Sequence, residues 1–449
     1  MKKASKTSPL AIVILAAGQG TRMKSALPKV MHKIAGRPMI SWLIETAEKL
    51  NPEKIIVVAA PEQNDLAAAI APHQTVVQKE QRGTGDAVKP ALEYLKDFQG
   101  KVLVLLGDEP FVELDALQDM VSHDGLTVMG VEQDFVSSLG RMVLNSDGTL
   151  DCIIEEKDCT EEQREITLRN AGNFCFPAQH MEKWFSKLTN QNAQKEYYLT
   201  DIPKIAQQDG FKTHVVETYM ENSWGINTRV ELAMHEILAQ DMLCTAAMEN
   251  GVTMIDPFSV TLSWDTKFGQ DVVIEPHVVF GPGVVVEDNV TIYAFSHIEG
   301  AKIKKGAEVG PFARIRPKSV IEEKASVGNF IEINRSTIKA GAKAKHVSYI
   351  GDATIGEKSN IGAGTIIANY DGYFKHHTDI GKEVFIGSNS TIISPADIGD
   401  GAIVAAGSNI NKDIPANAMA IGRSRQENHL GWASEYRKMK QQQKNQEED

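Results

Sequence analysis

An aliphatic or aromatic residue returns at every sixth position through much of the C-terminal half of the chain. Phe268, Ile274, Phe280, Val286, Ile292 and Ile298 keep this spacing, as do Val309, Ile315, Ile321, Val327 and Ile333. Ile380, Ile386, Ile392, Ile398, Val404 and Ile410 then resume it. Six is a multiple of the strand period of two, so the recurring slot always faces the same side. One hexad cannot bury its apolar residue alone, whereas stacked hexads share a continuous core. The spacing predicts a parallel β-helix of hexapeptides over residues 268–421 and leaves its handedness open. Ordinary hairpins would not hold one register over so many periods.

The first half has a different pattern. Residues 12–15, 55–59, 102–106 and 127–131 read as strands, and residues 41–50, 86–95 and 178–188 as helices. That alternation predicts an α/β domain with a mostly parallel, Rossmann-like sheet. Ligand sites in such sheets lie at the carboxyl ends of the strands. Apolar residues then recur at helical spacing up to Gly251, which predicts a helical connector. The expected divisions are residues 1–228, a linker at 229–250, and a repeat domain at 251–449 with a polar tail. Residues 441–449 read as disordered. The net charge of −12 argues against nucleic acid as a partner. No segment is long enough to span a bilayer, and the short apolar run after Lys2, Lys3 and Lys6 suits a first strand better than a signal peptide. Cys152, Cys159, Cys175 and Cys244 form no C-x-x-C and read as reduced thiols in a cytoplasm.

After the first expected strand comes Leu15-Ala16-Ala17-Gly18-Gln19-Gly20-Thr21-Arg22-Met23. Glycines at such a place let backbone N–H groups approach phosphate oxygens. Arg22 and Lys29 (in Leu27-Pro28-Lys29) add the positive charge that polyphosphate chemistry needs. Together with Gln78, Gly83-Thr84-Gly85, Leu106-Gly107-Asp108 and the hexads, these motifs are specific. The chain resembles, over residues 10–432, the bacterial bifunctional N-acetylglucosamine-1-phosphate uridylyltransferase/glucosamine-1-phosphate acetyltransferase family. The resemblance implies a left-handed β-helix and a homotrimer whose acetyl-CoA sites lie between subunits. It implies that Leu15, Ala16, Ala17 and Gly18 line the nucleotide with Arg22 nearby and that Lys29 binds its phosphates. Gln78, Gly83 and Thr84 would bind the uracil. Asp108, beside Leu106 and Gly107, would hold Mg²⁺ with Asn227. Gly140, Glu155 and Asn170 would contact N-acetylglucosamine. Oxygen ligands suit Mg²⁺, which keeps several waters or phosphates of its own.

Interruptions of the hexads mark a second constellation. By the same resemblance, His346 in Lys345-His346-Val347-Ser348-Tyr349 is the base of an acetyltransferase, and Glu332 is a candidate to orient it. Arg316 would bind the sugar phosphate of glucosamine-1-phosphate, and Tyr349 and Asn360 the sugar. Ala363, Asn369, Tyr370, Ser388, Ala406 and Arg423 would contact acetyl-CoA. One position departs from the family pattern: Asn334 stands where a lysine is usual, next to Arg335. Successive strand residues point to opposite faces, which argues against Arg335 as a replacement. Two readings follow. In the first, acetyl transfer to glucosamine-1-phosphate precedes uridylyl transfer from UTP. In the second, the chain is a uridylyltransferase whose weakened hexapeptide domain serves mainly as a trimerisation scaffold.

Overall fold

Leu10–Leu15 (β1) is an unbroken apolar run, the composition of a strand covered on both faces. It pairs in parallel with Lys54–Ala59 (β2) and with the strand Lys101–Leu106, and β2 pairs in parallel with Gln74–Val77 (β3). The structure, a computed structural model, describes residues 8–61, 63–134, 138–220 and 223–447. The Lys2, Lys3 and Lys6 run lies outside them. The chain forms two units, Met1–Met242 and Leu243–Asp449.

In the first unit Lys101–Leu106 is β4, followed by Leu126–Glu132 (β5), Arg141–Leu144 (β6), Leu150–Ile154 (β7), Leu168–Pro177 (β8) and Thr213–Thr218 (β9). The sheet runs β3-β2-β1-β4-β8-β5-β9-β7-β6. Its first four strands are parallel, as the βα alternation predicts. β8 then lies antiparallel to both β4 and β5, and β6 and β7 add an antiparallel edge. Helices Met39–Glu48 (α1), Thr84–Leu92 (α2), Leu114–Ser122 (α3) and Ala178–Ser186 (α4) join the strands. Phe174, Phe176, Trp184 and Phe185 are fully buried. The strands and helices read from the sequence match these elements to within a few residues.

Arg229–Glu249 (α5) is the expected connector helix, and the division between the two units falls inside it. Its start is set by a capping box. The Thr228 hydroxyl accepts from the Glu231 N–H at 3.2 Å, and the Glu231 carboxylate accepts from the Thr228 N–H at 2.7 Å.

The second unit is a parallel β-helix with three columns of inward residues. Phe268, Val286, Ile303, Ile321, Ile338, Ile355, Ile380 and Ile398 stack in parallel register. So do Ile274, Ile292, Val309, Val327, Ala344, Ile361, Ile386 and Val404. The third column is Phe280, Ile298, Ile315, Ile333, Ile350, Ile367, Ile392 and Ile410. They form one continuous core, consistent with the left-handed hexapeptide β-helix. Ile350 follows Ile333 in its column and Ile392 follows Ile367, so the extra residues at 369–377 leave the stack as a loop and the register recovers beyond it. Replacing Ile298, which is fully buried, by alanine is expected to cost about 2–5 kcal/mol. Denaturant unfolding of the repeat unit measures this, and uridylyl transfer should be retained.

The tail departs from expectation. Trp432–Glu447 (α6) is helical and exposed along its length. Polarity alone suggested disorder, but Lys, Gln, Glu, Arg and Met are good helix formers, and no Gly or Pro interrupts them. Only the last two residues of that stretch lie outside the described ones. Among the described residues, no helix is long and apolar enough to cross a membrane.

Candidate active sites

The carboxyl ends of β1 and β4 bring the glycine-rich loop and the Leu106-Gly107-Asp108 turn together. Gly107 donates its N–H to the Leu15 carbonyl at 3.0 Å. A side chain at Gly107 would press on that same oxygen, with a Cβ only 2.9 Å away. Gly20, at φ +61, has room for no Cβ because Lys29 lies 2.7 Å from where it would be. This close approach places Lys29 beneath the loop. Its ammonium donates to Asp108 and, at 3.0 Å, to the Asn227 amide oxygen, which also accepts from Arg22 at 2.9 Å. Two oxygens, one anionic and one neutral, therefore converge on a single cationic point. The Glu231 carboxylate fixes Asn227 by accepting its N–H at 2.7 Å.

These groups border a cleft of about 570 Å³. Of the residues expected from the sequence, Arg22, Thr84, Leu106, Asp108, Gly140, Glu155, Asn170 and Asn227 line it. Gly140 accepts the Asn170 N–H at 2.8 Å across a strand pair, so these two expected sugar contacts are neighbours. Glu155 accepts from the Thr200 hydroxyl at 2.8 Å, and burial raises its carboxyl above the ordinary range. Gln78 is buried, with its amide 3.4 Å from Asp86, and the Gly83-Thr84 turn starts α2 at a φ of +110. Ala17 is tied to this side of the unit by a hydrogen bond from Gln81, and Ala16 donates to Val58 at 2.8 Å. A Cβ built on Gly18 would meet nothing within 4 Å beyond its chain neighbours.

Sequence reasoning passed over one polar pair, Glu109 of the cleft lining and the buried Asn173 behind it. Glu109 is 3% exposed and accepts from the buried Asn173 amide at 2.6 Å. Burial, with the neighbouring Asp108 charge, pushes its carboxyl well above the usual range. A glutamate after a strand-end aspartate gives no local signal of burial. The capping box that fixes Asn227 was passed over as well, although it has a local signature in Thr228-Arg229-Val230-Glu231.

In the β-helix, register assembles the second site. Asn329 pairs with His346. Two residues beyond the column Ala344, Ile361, Ile386 and Val404 come His346, Ala363, Ser388 and Ala406, one per coil. The backbone seals that edge: Asn389 N–H donates to Ala363 at 2.7 Å and Gly407 N–H to Ser388 at 2.8 Å. A histidine thus heads a column of small residues, and Arg423 reaches its far end near Gly407, which is 3.8 Å away as judged from an added Cβ. His346 is exposed, and its Nδ1 lies 3.1 Å from the Asn329 amide oxygen. An amide oxygen only accepts, so Nδ1 carries the proton and Nε2 is left as the acceptor. The expected orienting group Glu332 instead accepts from Arg316 at 2.8 Å. Strand register explains this, since Glu332 stacks on Tyr349 and not on His346.

Arg316, Asn334 and Gly351 occupy successive coils of one column, with Tyr349 two residues before Gly351. Asn360 pairs with Lys343 and Phe385 on an adjoining face. Asn369 is buried and donates to Asp352, whereas Tyr370 is exposed, its hydroxyl on the Gly372 carbonyl. Alternation misjudged Arg335. The strand ends at Asn334, and Arg335 sits at a corner with φ +51, so its side chain does not follow the pleat. Among the described residues no cluster of three or more His, Cys, Asp or Glu is arranged to hold a metal.

The family model described as the MobA-like NTP transferase domain matches residues 12–135. The model for the bacterial transferase hexapeptide (six repeats) matches residues 265–300 and 377–412. "Bifunctional protein GlmU" of Paramagnetospirillum magneticum is 45% identical over 437 residues, 96% of this chain and 97% of that protein. The protein of the same name from Zymomonas mobilis is 44% identical, covering 96% and 98%. That from Stutzerimonas stutzeri is 43% identical, covering 94% and 98%. With both halves matched in order and nearly the whole length shared, the chain belongs to the bifunctional GlmU family.

Proposed function

We propose that this chain makes UDP-N-acetylglucosamine in two steps, one in each unit. In the β-helix, the amine of glucosamine-1-phosphate attacks the thioester carbonyl of acetyl-CoA. His346 Nε2 takes the amine proton as the new N–C bond forms, and the coenzyme A thiolate leaves. In the α/β unit, a phosphate oxygen of N-acetylglucosamine-1-phosphate attacks the α-phosphorus of UTP, and the bond to pyrophosphate breaks. No side-chain nucleophile is needed. Lys29 and Arg22 hold the triphosphate and offset its charge, while Gln78 and the Gly83-Thr84 turn receive the uracil. Gly140, Glu155 and Asn170 orient the sugar. Catalysis is positioning and charge neutralisation.

The oxygens of Asp108 and Asn227 fit Mg²⁺, because they are hard donors aimed at one point, now met by the Lys29 ammonium. Bound there, Mg²⁺ would neutralise charge on the triphosphate and the leaving pyrophosphate. The observation that carries the two-step reading is the column His346, Ala363, Ser388, Ala406. A trimerisation scaffold has no use for a histidine at the head of a column of small residues, so the scaffold-only reading is not favoured. The working assembly is a cytoplasmic homotrimer with its acetyl-CoA sites between subunits, which sedimentation tests.

Chelation separates the two halves. EDTA is expected to abolish pyrophosphate release from UTP and N-acetylglucosamine-1-phosphate. Thiol release from acetyl-CoA with glucosamine-1-phosphate should continue. Loss of both on chelation would contradict the assignment. Comparing UTP with dTTP and GTP tests the base.

A further inference from the structure

An amino-sugar phosphate brings a dianion to the β-helix site, and Arg316, one cation that could meet it, is already paired with Glu332. Asn334, one coil on in the same column, is neutral and 4% exposed. The corner beside it is not neutral. The Arg335 guanidinium grips Asp352 with two hydrogen bonds, Nε to Oδ1 at 2.6 Å and Nη2 to Oδ2 at 2.7 Å. Its Nη1 donates to the Asn334 amide oxygen at 3.2 Å. These contacts use three of the N–H donors and leave the outer Nη1/Nη2 edge of the fork available. The side chain is 30% exposed, so that edge can meet a ligand.

The same place gathers the expected sugar and acyl-donor contacts. Asp352 also accepts from Asn369. A Cβ built on Gly351, the register partner of Asn334, would lie 2.6 Å from the Tyr349 hydroxyl and 2.8 Å from the Asn369 amide nitrogen. Tyr349, Asn369, Asp352, Arg335 and Asn334 therefore converge on one spot over a glycine that leaves room there.

We propose that Arg335 is the second cation for the phosphate of the amino-sugar phosphate, with Asp352 as the positioning residue that aims its fork and ties it to Asn369. The corner residue supplies the charge that the neighbouring strand position lacks. A planar fork clamped by a carboxylate on one edge is suited to a phosphate on the other. The inference rests on the acetyltransferase reading above.

The test compares glucosamine-1-phosphate with glucosamine, which lacks the phosphate, in the full-length protein. Arg335→Ala, and Arg335→Gln, which keeps a hydrogen bond to Asp352, are both assayed. Removing one charged hydrogen bond lowers affinity about ten- to a hundredfold. The preference for the phosphorylated over the plain sugar, as the ratio of kcat/KM values, should fall by that factor in both variants. The rate of uridylyl transfer should not move. Asp352→Asn should lower the same ratio by less. Calorimetric binding of glucosamine-1-phosphate to wild type and Arg335→Ala gives a readout independent of turnover. If wild type binds glucosamine-1-phosphate without acetylating it and Arg335→Ala loses that binding, the acetyltransferase reading fails and this inference stands. An unchanged ratio and unchanged binding, or equal loss for both sugars, would overturn it.

Discussion

Replacing His346 by alanine is expected to lower acetyl transfer by roughly 10²–10⁴-fold, the range of a positioned general base, and to leave uridylyl transfer at its wild-type rate. His346 is exposed, so its loss opens no cavity and breaks no core contact. The Asn329 contact keeps Nδ1 protonated and Nε2 available, so the loss should appear in kcat and not in the KM for either substrate. Asn329→Ala should be milder, about two- to tenfold, because one neutral hydrogen bond is removed and the base remains. Thiol release under saturating acetyl-CoA measures both. A rise in KM with kcat unchanged would assign His346 to binding.

Asp108→Ala should act on the other half with similar selectivity. Asp108 supplies a formal negative charge directly on the Lys29 ammonium, beside the neutral Asn227 oxygen. Its removal takes the anionic ligand from the proposed Mg²⁺ site and leaves the Lys29 ammonium without its carboxylate. A group that stabilises charge on a transferring phosphoryl is worth about 10²–10³ in kcat, and uridylyl transfer should fall by at least that much. Asp108→Asn keeps the oxygen and loses the charge, so it should lie between alanine and wild type. Acetyl transfer should be unaffected by both. Pyrophosphate release at saturating Mg²⁺ is the measurement.

Much of this is legible in the sequence, and the physical reasons differ by region. The hexads announced the β-helix because burial of one slot per coil is a strictly periodic demand. Asp108, Glu155 and Asn170 are far apart in the chain and share one cleft because they lie in or just beyond strands of one sheet, and Asn227 joins them from the start of α5. The reading failed where periodicity stops. Strand alternation was extended one residue too far at Arg335, which turns the corner at φ +51 and so points back toward Asn334. Glu332 was a reasonable partner for His346 by proximity in the fold, but register gives that place to Asn329. The Glu109–Asn173 pair lies 64 residues apart, and nothing local marks either side chain as buried. The tail helix was missed because polarity was weighed above propensity.

The claim that matters most is that this protein holds two separable sites, one for each half-reaction. Complementation tests it directly. Wild-type protein is expected to form UDP-N-acetylglucosamine from glucosamine-1-phosphate, acetyl-CoA, UTP and Mg²⁺, and His346→Ala and Asp108→Ala alone should not sustain it. Mixed in equal amounts, the two variants should restore product formation, because N-acetylglucosamine-1-phosphate released by one is taken up by the other. A mixture as inactive as either variant alone, with each variant folded and lacking only its own half-reaction, would contradict the account.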